Sequence, residues 1–156
     1  LSTTPERRGG RAEGEAAPRR PTPDQPIDYL AAIAPDDEAP EGTPGAVVRT
    51  LLNTDHWLAS GTDGEIGVLV EGSRIFSPMT LDAGTNVGRY ADVEDLVMGG
   101  IVWDDAKPQL ANKAYLMHQP VGRGQVIAFA EDPNYRAYSE ASQLLFINAV
   151  LLGPGR

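Results

Sequence analysis

The uneven distribution of proline is the feature that most constrains how this chain folds. Eight of its 13 prolines lie before residue 46, together with five of the glycines, and Tyr29 is the only aromatic residue there. Such a composition buries too little apolar surface to offset the entropy lost on ordering the chain. We therefore expect residues 1–45 to form a disordered Pro-rich linker or insert loop. Residues 46–156 are expected to form the folded domain.

Charge is segregated within the Pro-rich part. Residues 1–20 hold five arginines and three glutamates, whereas residues 21–45 hold six carboxylates and no lysine or arginine. Two interpretations fit this pattern: a pair of oppositely charged tails that bind partners, or a solvated loop. The pattern favours the loop, because runs of like charge are usually solvated.

One short helix is expected inside this part, near residues 26–34. Its apolar residues recur at Ile27, Leu30 and Ile33, which places them on one face of a helix. Pro26 is suited to the first helical position, and Pro35 is suited to a stop. The sequence therefore predicts a short helix that docks on the domain.

Overall composition excludes several classes of function. The chain has 22 acidic and 13 basic residues, a net charge of −9, and no cysteine. A negative charge of this size repels phosphate, so we expect neither a nucleic-acid partner nor an anionic membrane partner. The missing cysteine excludes thiolate nucleophiles and sulfur-bound zinc. No apolar run reaches the length of about 18 residues that a membrane helix needs, so no membrane span is expected.

From residue 46 onward the sequence predicts an α/β domain in which a C-terminal helix packs on a sheet. Short apolar runs separated by glycine, asparagine and aspartate are typical of strands and turns. The predicted strands are 47–52, 65–70, 74–76, 86–91, 101–103, 113–119 and 125–130. A helical turn is expected at 92–97, ended by residues 98–100, and the final helix at 138–152. The last strand is almost wholly apolar, which predicts burial on both faces.

The two histidines allow a nearly complete test for metal and acid–base chemistry. His56 and His118 each lack a histidine or glutamate three or four residues further on, the spacing that puts two ligands on one helix face. The alternative is a composite site built from His56, His118 and nearby carboxylates, but a lone histidine at a strand end is more often structural. We therefore expect no metal site. No G-x-S-x-G nucleophile motif is present either.

The candidate ligand-binding residues follow the last predicted strand. Tyr135, Arg136 and Tyr138 lie between that strand and the final helix, where open α/β sheets place groups that contact ligands. Arg136 with the two tyrosines is suited to clasping a carboxylate or stacking on a ring. The alternative is structural: Arg136 pairs with Glu131 or Asp132 and fixes the loop.

Three segments resemble the C-terminal end of bacterial zinc carboxypeptidase-like proteins of the carboxypeptidase A type. They are residues 119–129, 132–137 and 144–151. In that group a glutamine-amidotransferase-like α/β domain follows the peptidase domain and ends in a similar strand, a Pro-x-Tyr/Phe-Arg loop and an asparagine-containing helix. Shorter segments upstream are similar to the middle of the same domain, so the resemblance covers about residues 44–153.

The resemblance implies a partial flavodoxin-like (class I amidotransferase-like) sheet whose first strands lie upstream of Leu1. Carboxypeptidase chemistry in the family needs a His-x-x-Glu pair, and this sequence has none. Zinc and the catalytic residues would therefore also lie upstream. Amidotransferases need a cysteine and a late His-x-Glu pair. Here Pro120 stands where that glutamate would follow His118, so glutaminase activity is not expected.

The function implied by the resemblance is that of a non-catalytic accessory C-terminal segment. Its parent would be a secreted or periplasmic bacterial enzyme that removes C-terminal residues by zinc-dependent proteolysis. Its partner would be the upstream peptidase domain of the same chain, and zinc would belong to that parent alone. The alternative is a small-molecule or peptide-binding α/β module whose Tyr135-Arg136 loop takes a carboxylate-bearing ligand. A hydrolase that uses His118 with Glu131 or Asp132 is a third, minor hypothesis.

Overall fold

A computed structural model describes residues 28–34 and 38–155 of the chain. Of the linker predicted at 1–45, residues 1–27 lie outside the described residues, and so do most of the residues of the predicted charged tails. The same holds for the predicted stop at Pro35.

The described residues form a six-stranded sheet and three α-helices. The strands are β1 (Thr43–Leu52), β2 (Glu65–Gly72), β3 (Thr85–Tyr90), β4 (Val97–Ile101), β5 (Ala114–Val121) and β6 (Gly124–Phe129). The helices are α1 (Tyr29–Ile33), α2 (Ala106–Leu110) and α3 (Glu140–Leu152). Short 3₁₀ turns lie at Trp57–Ala59, Tyr135–Ala137 and Gly153–Gly155. The strand order is β2-β1-β3-β5-β6, and β4 also pairs with β1.

Strand β1 organises the sheet because it has three partners. One of its edges pairs with β2, and the other pairs first with β4 and then, over Thr50 to Leu52, with β3. This change of partner curls the sheet. Gly100 permits the close approach of β4, since a Cβ there would lie 2.6 Å from the carbonyl oxygen of Gly45 and its φ is +84°.

The core lies between the alternating apolar residues of the sheet and the inner side of α3. Val48, Val68 and Val70 are buried at every second position, as expected when one face of a strand is covered. Leu145 of α3 is fully buried against this face. Asn148, one turn further on, donates hydrogen bonds to the carbonyl oxygens of Leu58 (2.9 Å) and Ser60 (2.8 Å). Helix α3 is therefore fixed to the turn that follows β1.

The α/β class with a C-terminal helix is confirmed, and the last third of the sequence is predicted most accurately. β5 and β6 form a hairpin with a two-residue turn in which Gly122 has a φ of +58°. The flavodoxin-like arrangement is not confirmed. That arrangement uses parallel strands, whereas every strand pair among the described residues is antiparallel.

Three local predictions are wrong. β6 is not buried on both faces, because it ends the strand order of the sheet, and Val126 is 50% exposed. Residues 74–76 form no strand. Residues 98–100 do not end a helical turn but lie inside β4, where the glycines let that strand approach β1.

The beginning of the domain agrees more closely with expectation. α1 forms where the short helix is predicted, with the Asp28 side chain accepting hydrogen bonds from the amides of Leu30 and Ala31. The buried Lys113 ammonium donates to the carbonyl oxygen of Ala32, which docks the helix on the domain. The predicted apolar face is wrong at Leu30, which is 79% exposed, whereas Ala32 is buried instead. β1 begins at Thr43, three residues before the expected boundary.

Candidate functional site

The three predicted ligand-binding residues lie together on the turn between β6 and α3. Arg136 and Ala137 both have a positive φ, +47° and +53°, which costs each of these residues about 1 kcal/mol or more. The Arg136 guanidinium lies 5.2 Å from the centroid of the Tyr135 ring, a cation–π contact. Tyr138 is largely exposed.

Two small cavities open beside this turn. The larger, of about 70 Å³, lies between the end of β2 and the segment after β6. Its lining residues are Leu69, Glu71, Arg74, Glu131, Asp132 and Tyr135. The smaller, of about 10 Å³, is also lined by Tyr135 and by Tyr138, and it has room for little more than a water molecule. Arg136 is not among the residues that line either cavity.

Glu131 is the buried charge of the larger cavity. It is 6% exposed, and its Oε2 accepts a hydrogen bond of 2.6 Å from Nη2 of Arg74. Its Oε1 is also buried and has no hydrogen-bond donor within the part of the chain that the structure describes. Burial raises the pKa of this carboxyl, Arg74 lowers it in part, and Glu71 raises it further. The guanidinium that neutralises Glu131 therefore comes from Arg74, not from Arg136.

Two tyrosine hydroxyls share the electrostatic surroundings of Glu131. The hydroxyls of Tyr90 on β3 and Tyr115 on β5 are buried and have no partner among the described residues. Burial raises the pKa of both, and the charge of Glu131 raises them further. An unpaired buried polar group costs about 1–3 kcal/mol. This part of the core is therefore rich in unsatisfied polar atoms.

The two histidines form a second polar cluster, which we call the histidine chain. It consists of His56, His118, Gln125 and the carbonyl of Gly153. His56 Nε2 lies 3.0 Å from His118 Nδ1, and His118 Nε2 lies 2.7 Å from Oε1 of Gln125. Nε2 of Gln125 then donates to the Gly153 carbonyl oxygen at 2.6 Å. The histidine chain joins the turn after β1, the β5–β6 hairpin and the end of α3.

Hydrogen-bond roles in the histidine chain follow from its first member. The Leu58 amide donates to Nδ1 of His56, so Nδ1 is an acceptor and Nε2 carries the proton of the neutral ring. His56 then donates to His118, and His118 donates to Gln125. Each ring nitrogen has a role that the neutral tautomers satisfy, so the cluster is complete without a ligand.

The residues of the histidine chain do not fit a zinc site. Their ring nitrogens are held by one another, by the Leu58 amide and by Gln125. Over residues 28–34 and 38–155, no group of three or more His, Cys, Asp or Glu side chains is arranged to hold a metal ion. A structural zinc site typically has four protein ligands and a catalytic one three.

The structure does not assemble the hydrolase considered from the sequence. His118 is bound to His56 and Gln125, whereas Glu131 is bound to Arg74. Among the described residues no hydrogen bond joins His118 to Glu131 or Asp132.

A third feature is the outer side of α3. From Leu144 to Leu152 every residue except Asn148 is apolar. Leu145 and Asn148 face the core, but four apolar side chains on the other sides of the helix remain exposed by 38–71% of their surface: Phe146, Ile147, Val150 and Leu151. A helix that is apolar on all sides is ordinarily buried on all sides. We call these four residues the α3 outer face.

Comparison with known proteins identifies no relative: no family model, curated protein or solved structure matches the chain. In the described part of the chain, no helix is both long and apolar enough to cross a membrane.

Proposed function

We propose that this chain is a non-catalytic accessory segment of a zinc carboxypeptidase-like protein. In this proposal it belongs to an amidotransferase-like domain and packs against the peptidase domain of the same protein. The parent removes C-terminal residues from its substrates with its own zinc, outside the cell or in the periplasm. The observation that carries the proposal is the α3 outer face.

The α3 outer face is suited to permanent contact with another domain. Leu151 is 71% exposed and Val150 is 54% exposed, one directly after the other, and no charged residue interrupts the helix after Glu140. Exposed apolar patches of this kind mark interaction surfaces in soluble proteins. Removing such side chains from water contributes about 25 cal/mol per Å², and the costs of association reduce the net gain.

The resemblance supports the same proposal from the sequence. Its most specific segments, residues 119–129, 132–137 and 144–151, fall on the β5–β6 hairpin, the Tyr135 turn and α3. Tyr135, Arg136 and the α3 outer face thus lie in segments that resemble the family. The finer fold remains part of the proposal: the antiparallel sheet would extend a flavodoxin-like sheet whose parallel strands other parts of the protein supply.

The test starts from the reading frame before the codon of Leu1. We expect it to encode a peptidase domain with a His-x-x-Glu motif. That domain and the 156-residue chain, expressed separately, should form a one-to-one complex in sedimentation velocity. Leu151→Glu should weaken the complex at least tenfold, because it places a charge in an apolar interface.

Leu81→Glu is the matched control. Leu81 is 72% exposed, almost the same as Leu151, but lies between β2 and β3. It should leave the complex unchanged. The proposal fails if no peptidase domain is encoded, if both variants behave alike, or if the 156-residue chain alone cleaves C-terminal residues from peptides.

A second function, a ligand-binding module at the Tyr135-Arg136 loop, is favoured by one observation: Tyr135 lines both cavities beside that loop. The two functions are compatible, since the loop precedes α3 and the outer face lies on the helix itself. Saturable binding of a small ligand, with NMR shifts at the cavity residues, is the measurement that tests it.

A further inference from the structure

The larger cavity combines a buried acceptor with an acidic rim. Glu131 forms its buried part, 94% removed from solvent, with Oε1 unpaired among the described residues. Glu71, Arg74 and Asp132 are exposed and line the same cavity. A buried carboxylate oxygen without a donor is costly, and a bound donor would relieve that cost.

We propose that this cavity binds a cationic group, the ammonium of a lysine side chain or of a small alkylamine, which donates to Oε1 of Glu131. The inference rests on the second function above, the ligand-binding module, and assigns it a class of ligand. That class differs from the carboxylate expected from the sequence.

The charges of the residues that line the cavity favour a cationic ligand over a carboxylate ligand. Three carboxylates line the cavity, Glu71, Glu131 and Asp132, against the single guanidinium of Arg74, which is already bound to Oε2 of Glu131. A second cation is attracted by the remaining negative charge, whereas a carboxylate ligand meets repulsion from all three acids. Arg136, the residue expected to clasp a carboxylate, does not line the cavity.

The aromatic wall fits the same ligand. Tyr135 lines the cavity, and its ring already holds the guanidinium of Arg136 at 5.2 Å. Since Arg136 occupies one face of the ring, only the other face is available for a cation–π contact with a ligand. A volume of about 70 Å³ suits an ammonium and the last methylenes of its chain, not a large ligand.

The two orphaned tyrosine hydroxyls offer a competing explanation for Glu131. A buried water that joins Oε1 to Tyr90 or Tyr115 would satisfy the same atoms. In that case Oε1 faces the core and takes no part in ligand binding. The experiment below separates the two arrangements.

The experiment is an NMR titration of the ¹⁵N-labelled full chain with three probes of one length: n-butylammonium chloride, sodium butyrate and n-butanol. Ionic strength is held constant. We expect saturable shifts with butylammonium alone, centred on the amides of Leu69, Glu71, Arg74, Asp132 and Tyr135. Glu131→Gln should reduce the butylammonium affinity at least tenfold, because a charge-assisted hydrogen bond is lost.

Two further variants keep the result interpretable. Glu94→Gln removes one exposed carboxylate outside the cavity and should change the affinity less than twofold. If Glu131→Gln does not fold, the double rim variant Glu71→Gln, Asp132→Asn serves instead. Both rim residues are exposed, and their loss should weaken butylammonium binding several-fold.

Each outcome has a separate meaning. Butyrate binding that Arg136→Ala abolishes would overturn the cationic ligand and keep the ligand-binding module. Butylammonium binding that survives Glu131→Gln would overturn the role of Oε1 and favour the bridging water. No saturable shift with any probe would overturn both the inference and the module, and would leave the accessory function untouched.

Discussion

Two polar regions of this molecule, the histidine chain and the surroundings of Glu131, differ in how completely their hydrogen bonds are satisfied. In the histidine chain, His56, His118 and Gln125 each meet a partner, ending at the carbonyl of Gly153. Around Glu131, one carboxylate oxygen and two tyrosine hydroxyls lack a partner among the described residues. Both regions contain ionisable side chains next to strands of one sheet.

The difference separates a structural cluster from a candidate site. A network in which every donor has an acceptor fixes the elements it joins and leaves no atom free for a ligand. A buried acceptor without a donor costs free energy, and in our proposal a ligand in the neighbouring cavity supplies that donor. Hydrogen-bond satisfaction therefore marks the two histidines as structural and leaves Glu131 as the group without a full set of partners among the described residues.

The largest effect is expected from breaking the histidine chain. His118→Ala removes the acceptor of His56 Nε2 and the donor to Gln125 at once, so we expect a loss of about 2–3 kcal/mol in the free energy of unfolding. Urea denaturation monitored by circular dichroism measures it. The neighbouring Gln119→Ala should cost less than about 1 kcal/mol. Equal losses of unfolding free energy in the two variants would show that the histidine chain is not a cooperative network.

A pH-dependent effect is expected at Glu131. Its folded pKa is raised by burial, so its contribution to stability is fully present below its unfolded pKa of about 4.3 and is lost as pH rises through the folded value. The charged and ionisable groups that influence it are Arg74, Glu71, Tyr90 and Tyr115. The stability of the wild type relative to Glu131→Gln should therefore fall as pH rises.

Urea unfolding of the wild type and of Glu131→Gln at a series of pH values from 4 to 8 tests whether this relative stability falls as pH rises. A relative stability that grows with pH would mean that the ion pair with Arg74 outweighs burial. Glu94→Gln, at an exposed position, should show no comparable trend.

The smallest effect is expected at the orphaned tyrosines. Tyr115→Phe removes a buried hydroxyl that has no partner in the described residues, so stability should stay within about 0.5 kcal/mol or rise slightly. Differential scanning calorimetry measures it. A loss above about 1 kcal/mol would reveal a bound water or ligand on that hydroxyl, and would make the Glu131 region resemble the histidine chain.

The sequence predicted local structure better than the site. The β5–β6 hairpin and α3 were predictable because a glycine turn and a long apolar period are local signals. The parallel sheet was not confirmed, because strand direction depends on partners far apart in the chain. The predicted burial of β6 on both faces was wrong because an apolar run does not distinguish an interior strand from an edge strand.

The ligand-binding role of the residues named from the sequence stays a prediction. The position of Tyr135, Arg136 and Tyr138 between a strand and a helix indicates a candidate site, and the first and last of them line cavities. Arg74 was missed, since it meets Glu131 from 57 residues away. One signal was present: Glu131 is a carboxylate directly after an apolar strand. The meeting of His56 with His118 likewise depends on the sheet register.

The bond from Gln125 to the Gly153 carbonyl has a consequence for how the protein opens. Helix ends usually fray, but this bond and the Asn148 contacts hold the last turns of α3 to the sheet and to the turn after β1. Local opening of the C-terminal end must therefore break contacts with the hairpin as well. The last helix and the β5–β6 hairpin should exchange their amide hydrogens as one cooperative unit.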